Sequence, residues 1–390
     1  MSDGPTSGAA PEDRLKLAFL GDPNSIHMRL WVGFLAGRGH SVTLLVAKDR
    51  IVEPGLPESI AVATFTSFAA GRRVSPVSLL RGRRSLRRAL AQVRPDILNA
   101  HFLTVHGWNA WMSGFHPYVV TLWGSDIFIH PRTSRVAALL ARFTLRAADM
   151  VMINPVMRQA ALAAGAPPEK LELVTIGADV SLFTPGPDPA VLRARLGLAG
   201  RRVIFSPRSV TPLYRQGVVV EALSQLPSDV VVVMPRLRAQ TDELTMIERL
   251  TEAFGLRDRV LIVPEIPHAE MPDFYRLADV VVSVPESDSA SITMLEAMAC
   301  GRPFVATDLP AVREWLGDFD GAELVPLDDV TATAAALRRA LELPPDARVE
   351  QGSRARALVV EKGNQAQTLA RMESYYFDLL GRPRVGEGSR

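Results

Sequence analysis

The chain is 390 residues long, 47% apolar and 22% charged, with a formal charge of +2 at pH 7. That length exceeds one ordinary domain and predicts two of nearly equal size. So small a net charge gives no support to a nucleic-acid binder, no 18-residue apolar span offers a transmembrane helix, and a single cysteine, Cys300, excludes an internal disulfide and fits a reducing compartment.

Residues 1–14, MSDGPTSGAAPEDR, lack the basic region and apolar core of a signal peptide and are expected to be a disordered tail. Leu15–Leu20 reads as a first strand, followed by the turn Gly21-Asp-Pro-Asn-Ser-Ile-His27, a helix near 27–38, and a second strand at 41–47. That is a βαβ opening. A third strand is expected near 60–66. The segment from Arg81 to Val93 has apolar residues at helical spacing and five arginines, at 81, 83, 84, 87 and 88. It reads either as a solvated helix or as an interfacial helix docking on anionic lipid headgroups through Arg81–Arg88. Strands near 96–102, 118–122 and 150–153 and helices near 134–147 and 155–164 complete the first half. The stretch 171–189, rich in Pro and Gly, is the strongest break in the chain.

The βα rhythm then restarts, with strands near 202–205, 230–234, 260–263, 280–282, 304–307 and 323–326, and helices near 216–225, 242–254, 268–277, 293–300 and 331–342. A long terminal helix is expected over 364–380. Both halves read as α/β, two Rossmann-like doubly wound sheets in tandem, with ligands expected at strand carboxyl ends in a shared cleft. The most informative stretch is 280–307, VVVSVPESDSASITMLEAMACGRPFVAT. A buried strand feeds a loop of small polar residues and then a helix start, where backbone N–H groups attract anions. Asp288 and Glu296 flank that loop. From spacing alone, Thr293 with Glu296 also fits a capping box, and Asp288 a simple turn residue.

The segment Asp288-x7-Glu296 within Leu295-Glu-Ala-Met-Ala-x-Gly-x-Pro303 resembles the retaining GT-B glycosyltransferases of family 4. Further parts are similar to the same family: Gly37-Arg-Gly-His40, Pro95-Asp96 leading into His101, the Gly124-Ser-Asp126 turn, Ile176-Gly-Ala-Asp179 before Phe183, Phe205-Ser-Pro-Arg208 with Arg215-Gln-Gly217, and Met271–Asp279. The resemblance covers roughly 15–380. It implies an acceptor-binding domain at 15–178, a sugar-nucleotide-binding domain at 179–363, and a helix at 364–382 crossing back to the first. It also implies a metal-independent hexosyltransfer from a UDP- or GDP-sugar to a hydroxyl acceptor, which could be a glycan, a lipid-linked sugar or a small molecule. No cofactor and no nucleic acid are implied. The location would be cytoplasmic, with peripheral contact on the inner membrane face if the arginine helix docks.

By that resemblance Arg208 and Arg215 neutralise the departing diphosphate. The N–H groups of Ser289, Ala290 and Ser291 assist, Glu296 holds the ribose, and Asp288 reads the donor sugar. His27, His101, Trp123 and Asp126 are the acceptor-side candidates, Asp126 also being a catalytic one. The bland readings are a surface ion pair for each arginine and a satisfied core histidine for His101. Two positions depart from the family: Gln216 stands where a lysine is usual, and Trp123 where many members have a histidine. These departures keep a non-catalytic sugar-nucleotide binder open as an alternative. A sugar-nucleotide epimerase shares the architecture. A Rossmann oxidoreductase is disfavoured, because Gly21-Asp-Pro-Asn-Ser-Ile supplies no G-x-G-x-x-G.

Overall fold

A computed structural model describes residues 14–68, 75–288 and 291–382. The expected disordered tail therefore lies, but for Arg14, outside the described residues, as do Ser289 and Ala290. Two compact units divide the chain: residues through Thr175 together with those from Leu369 onward, and Ile176–Thr368.

The first unit holds seven parallel strands: β1 (Lys16–Leu20), β2 (Ser41–Ala47), β3 (Ala61–Phe65), β4 (Ile97–His101), β5 (Tyr118–Thr121), β6 (Met150–Ile153) and β7 (Leu171–Leu173). Their spatial order is β3-β2-β1-β4-β5-β6-β7. One side of the sheet packs Leu86, Ala89 and Leu90 of the helix Pro76–Val93, with Ala110, Ala141 and Leu145 from two further helices. The other side packs Met28, Trp31 and Leu35 of the helix Ile26–Gly37 with Leu369, Met372 and Tyr376 of the terminal helix Gln365–Leu380. Glu373 fastens that helix, accepting from Arg38 Nε at 3.2 Å and lying 2.7 Å from His40 Nε2. Burial alone would raise the Glu373 carboxyl, but the bonds from His40 and Arg38 outweigh it and hold the group below the usual carboxylate range.

The second unit has six parallel strands: β8 (Arg202–Phe205), β9 (Val230–Pro235), β10 (Val260–Val263), β11 (Val280–Ser283), β12 (Phe304–Thr307) and β13 (Ala322–Val325). They run in the order β10-β9-β8-β11-β12-β13. The valine-rich runs follow from burial on both faces, since helices cover each side of a parallel sheet. In both sheets the strand order reverses beside the first strand, between β1 and β4 and between β8 and β11. Those are the points where a doubly wound sheet leaves room for a ligand.

The sequence reading missed β7, which joins the first sheet by pairing with β6 inside the stretch taken as a break. It also missed the helix Pro345–Lys362. The expected helix near 155–164 is a 3₁₀ turn, Pro155–Met157, followed by the short helix Arg158–Ala163.

Candidate functional site

At the switch point of the second sheet, the loop leaving β8 and the loop leaving β11 meet through Arg208. Its Nη2 donates to Asp288 Oδ2 at 2.9 Å and its Nη1 to Thr293 Oγ1 at 3.2 Å. Arg208 and Asp288 are both close to fully buried, with side chains 10% and 9% exposed. The guanidinium lies 4.2 Å from the centre of the Tyr214 ring, which restricts it further. Gln216 orders the same loop: its Oε1 accepts from Ser206 Oγ at 2.6 Å and its Nε2 donates to the Arg208 carbonyl at 2.9 Å. The residue at the usual lysine position therefore braces the loop from inside and carries no charge.

Arg215 stands at the start of the helix Gln216–Leu223 with φ 49°, a left-handed conformation that a non-glycine residue adopts at a cost. Its Nη2 donates to Glu286 Oε2 at 2.7 Å and its Nε lies 3.1 Å from Asp328 Oδ1. Both carboxylates are about half exposed and Arg215 itself 31%, so water screens these pairs more than it screens Arg208–Asp288.

Glu296 sits on the helix Ile292–Ala299, whose N-cap is Ser291. The capping-box alternative fails: Thr293 is already inside the helix, and Glu296 Oε2 accepts from Tyr275 Oη at 2.6 Å instead of returning to the helix start. Burial pushes the Glu296 carboxyl up to about 7, against the opposing pull of the Tyr275 hydroxyl and Arg208. Tyr275 itself is driven well above its ordinary range by burial and by Glu296, so it stays a neutral donor. His268 Nε2 lies 4.0 Å from the other oxygen of Glu296. Ser283 Oγ and Thr307 Oγ1, at the carboxyl ends of β11 and β12, are buried and without a hydrogen-bond partner among the described residues. The bland alternative for Arg208, a surface ion pair, gives way to a buried pair linked across 80 residues of chain.

The switch point of the first sheet is built differently. β4 ends in His101, and Phe102 and Val105 follow with φ 76° and 38°. Asp126 holds this bent segment: it is fully buried and its oxygens accept from the N–H groups of Leu103 at 2.9 Å, Trp123 at 3.0 Å and Gly124 at 2.9 Å. Its carboxylate thereby braces the backbone of both segments. Gly21 faces the same spot; a Cβ there would overlap Met28 and approach His101 Cβ at 3.4 Å.

Aromatic rings gather around Trp123. His27 stacks on it at 4.7 Å, His101 lies at 5.5 Å and Trp31 at 5.9 Å, with Trp31 edge-on to His101 at 4.6 Å. Burial, aided by His106 and His27, drives His101 well below its ordinary value; burial also brings His106 down to about 4. Both imidazoles are neutral near pH 7. Trp31 Nε1, His101 Nε2, His106 Nδ1 and Trp108 Nε1 are buried ring nitrogens with no partner among the described residues. Buried polar atoms are ordinarily satisfied, so these four nitrogens, two of them on the adjoining rings of Trp31 and His101, stand out. The sequence pointed to His27, His101 and Trp123 but missed Trp31, His106 and Trp108. Trp31 was within reach, being one helical turn after His27. On the donor side, Tyr275, Thr293 and Tyr214 were not singled out as site residues, although Tyr275 lies in the segment Met271–Asp279 and Thr293 beside Glu296.

Residues 16–155 match the family model for glycosyl transferase 4-like domains, and residues 191–358 the model for glycosyl transferases group 1. A D-inositol 3-phosphate glycosyltransferase of Kineococcus radiotolerans is 32% identical over 230 residues, covering 54% of this chain and 52% of that protein. One from Mycobacterium bovis is 30% identical over 217 residues, covering 54% and 44%. The chain thus spans about half the length of the curated relatives it matches. Among solved structures, sucrose-phosphate synthase from Thermosynechococcus elongatus aligns with a TM-score of 0.78 at 21% identity, covering 94% of this chain and all of that one. Anabaena HepE in complex with UDP and glucose aligns at 0.76 and 20%, covering 93% and 99%. At such identities the likeness shows the fold, which is GT-B.

Proposed function

The chain belongs to the GT-B glycosyltransferases of the family 4 type, and from that premise we propose that it moves a sugar from a nucleotide-sugar donor to a hydroxyl acceptor. The transfer retains the anomeric configuration and uses no metal. The observation that carries the reading is the buried Arg208–Asp288–Thr293 arrangement beside the Glu296–Tyr275 pair at one switch point.

As the bond between the anomeric carbon and the β-phosphate oxygen breaks, negative charge grows on the phosphate. A guanidinium already fixed by Asp288, Thr293 and Tyr214 meets that charge without reorganising. Arg215 adds a second, more solvated positive charge, and the helix start at Ser291 adds backbone dipoles. The freed phosphate oxygen takes the proton of the attacking hydroxyl, so no separate protein base is needed. Glu296 accepts from the ribose hydroxyls, for which its carboxylate must be ionised. Asp288 reads hydroxyls of the donor sugar. The donor nucleotide is UDP or GDP, and UDP has the support of the structural relatives solved with it. In the first unit the Trp123 face, with His27 and His101, receives the acceptor, an indole plane suiting the C–H face of a sugar or polyol ring.

Among the described residues no helix is long and apolar enough to cross a membrane. Peripheral contact through the exposed arginines 81–88 remains part of the proposal. Thermal unfolding with nucleoside diphosphates tests the donor site: UDP or GDP should raise the midpoint of the wild type and fail to do so with Arg208→Ala or Glu296→Ala. No shift with any nucleoside diphosphate would overturn the reading. The uncharged Gln216 favours one rival, a sugar-nucleotide binder without turnover. That rival predicts the same shift but no donor consumption across an acceptor panel.

A further inference from the structure

The helix Arg135–Ala147 turns Ala141, Thr144 and Leu145 into the core of the first unit. Its outer side carries Val136, Leu139 and Phe143, exposed at 67%, 53% and 46%, with Ile129 at 60% just before the helix. The spacing i, i+3, i+7 lines the three up as one apolar stripe. Arg132, Arg135, Arg142 and Arg146 surround it, and the sequence has no acid between Asp126 and Asp149. Arg132, Arg135 and Arg142 also line an open groove of about 430 Å³ whose other walls include Ile127, Leu139 and Ala160. Among the described residues none of these three arginines is in an ion pair.

The same layer of helices continues this face. Trp108–Ser113 and Pro76–Val93 pack on the same side of the sheet, and the latter exposes Val77 and Leu80 with Arg81, Arg83, Arg84, Arg87 and Arg88. From Ser59 to Ala148 the sequence holds twelve arginines and two acids, Asp96 and Asp126, although the whole chain is only +2. Positive charge is thus concentrated on one segment.

We propose that this face docks on a bilayer containing anionic phospholipid. The groove takes a lipid phosphate among Arg132, Arg135 and Arg142, while Val136, Leu139 and Phe143 enter the acyl boundary. The chemistry selects this occupant. A nucleic acid would satisfy the arginines but leave the aliphatic stripe in water. A second copy of the face would cover the stripe but set guanidinium against guanidinium. A bilayer with anionic headgroups satisfies both. The stripe is also joined to the aromatic recess, because the Asp126 turn that holds Trp123 leads through Ser125–Phe128 and His130–Thr133 into this helix. Docking would therefore present a lipid-borne hydroxyl to Trp123. That last step rests on the proposed transfer; the docking itself does not.

The experiment is sedimentation of the full chain, without donor, with vesicles of phosphatidylcholine alone or with about one third phosphatidylglycerol. Binding is expected only to the second. Arg132→Gln with Arg135→Gln and Arg142→Gln should weaken it at least about tenfold, as should high salt. Val136→Asp with Leu139→Asp should do the same, with circular dichroism melting unchanged in each variant. Inorganic phosphate at millimolar concentration should not displace the protein. No binding to phosphatidylglycerol vesicles overturns the proposal. Binding that survives the Val136 and Leu139 changes overturns it too, since any polyanion would then suffice, as would displacement by free phosphate. Because nucleotide binding is read separately by thermal unfolding, failure of the docking and failure of the transfer reading are distinguishable.

Discussion

The two switch points share a topology and are furnished with opposite materials. At the second sheet, Arg208, Asp288 and Glu296 are charged or chargeable and buried, with Arg208 bonded to Asp288 and Thr293 and Glu296 to Tyr275. At the first, the recess is made of indoles and of imidazoles that burial keeps neutral, and its one buried carboxylate, Asp126, is spent on backbone N–H groups. A site that meets a departing diphosphate needs fixed positive charge in a poorly screened place. A site that holds an uncharged hydroxyl-bearing ring needs flat faces and single hydrogen-bonding atoms, and charge there would carry a desolvation cost with no return. The fold offers the same opening twice, and in the proposed transfer it is side-chain chemistry that gives the two different work.

The sharpest way to break that contrast is to remove the buried charge. Arg208→Ala should lower kcat/KM by at least about 2 kcal/mol, roughly thirtyfold, and Arg208→Lys should recover only part, because a point charge cannot span Asp288 and Thr293 together. Steady-state kinetics decides it; a loss under threefold would mean the charge is structural. Next in size is Glu296→Gln, which acts on stability with a definite sign. The folded carboxyl holds its proton up to about 7 whereas the unfolded one releases it near 4.5, so its contribution is complete below 4.5 and lost as pH rises through about 7. Glutamine has no proton to lose. The variant should therefore flatten the stability curve across that window and exceed the wild type at pH 8 by an amount on the order of 2 kcal/mol. Urea unfolding at several pH values checks this, and parallel curves would refute it.

For the neutral recess the expected outcome inverts. His101→Phe removes a buried nitrogen that has no partner among the described residues, so stability should hold or rise by about 1 kcal/mol while the acceptor KM rises about tenfold. Nucleotide binding should not move. A clear loss of stability would return His101 to the role of an ordinary core histidine.

Much of this was legible in the sequence, and the illegible part has a physical boundary. Continuous valine runs announced β9 and β11 because a parallel sheet buries both faces of its strands. Three residues of β7 hold too few side chains for any period to show. The helix Pro345–Lys362 buries little beyond Gly352, Ala355 and Val359, so it presents no apolar stripe to recognise. Glu296 and Asp288 could be singled out because they lie close together in one loop and helix. Arg208 could be singled out in its own loop, but its pairing with Asp288, and that of Tyr275 with Glu296, could not be read, since 80 and 21 residues separate the partners and only the crossovers of the sheet bring them together. The strain at Phe102 and Val105 left no mark either, because neither is a residue type that favours positive φ.

The smallest predicted effect sharpens the contrast within the donor side itself. The proposed transfer gives Arg215 the same phosphate to meet as Arg208, although its spacing to Arg208 departs from the family's by one or two residues, and its partners Glu286 and Asp328 are about half exposed. Screening by water should hold the loss from Arg215→Ala to about 1 kcal/mol in kcat/KM, below that of Arg208→Ala. Backbone strain acts in the opposite direction. At φ 49° both arginine and alanine are disfavoured, while glycine is not, so Arg215→Gly should be more stable than Arg215→Ala by roughly 1 kcal/mol at equal activity. If instead Arg215→Ala cost as much as Arg208→Ala, charge placement would outweigh burial, and the buried ion pair would no longer be what separates Arg208 from Arg215.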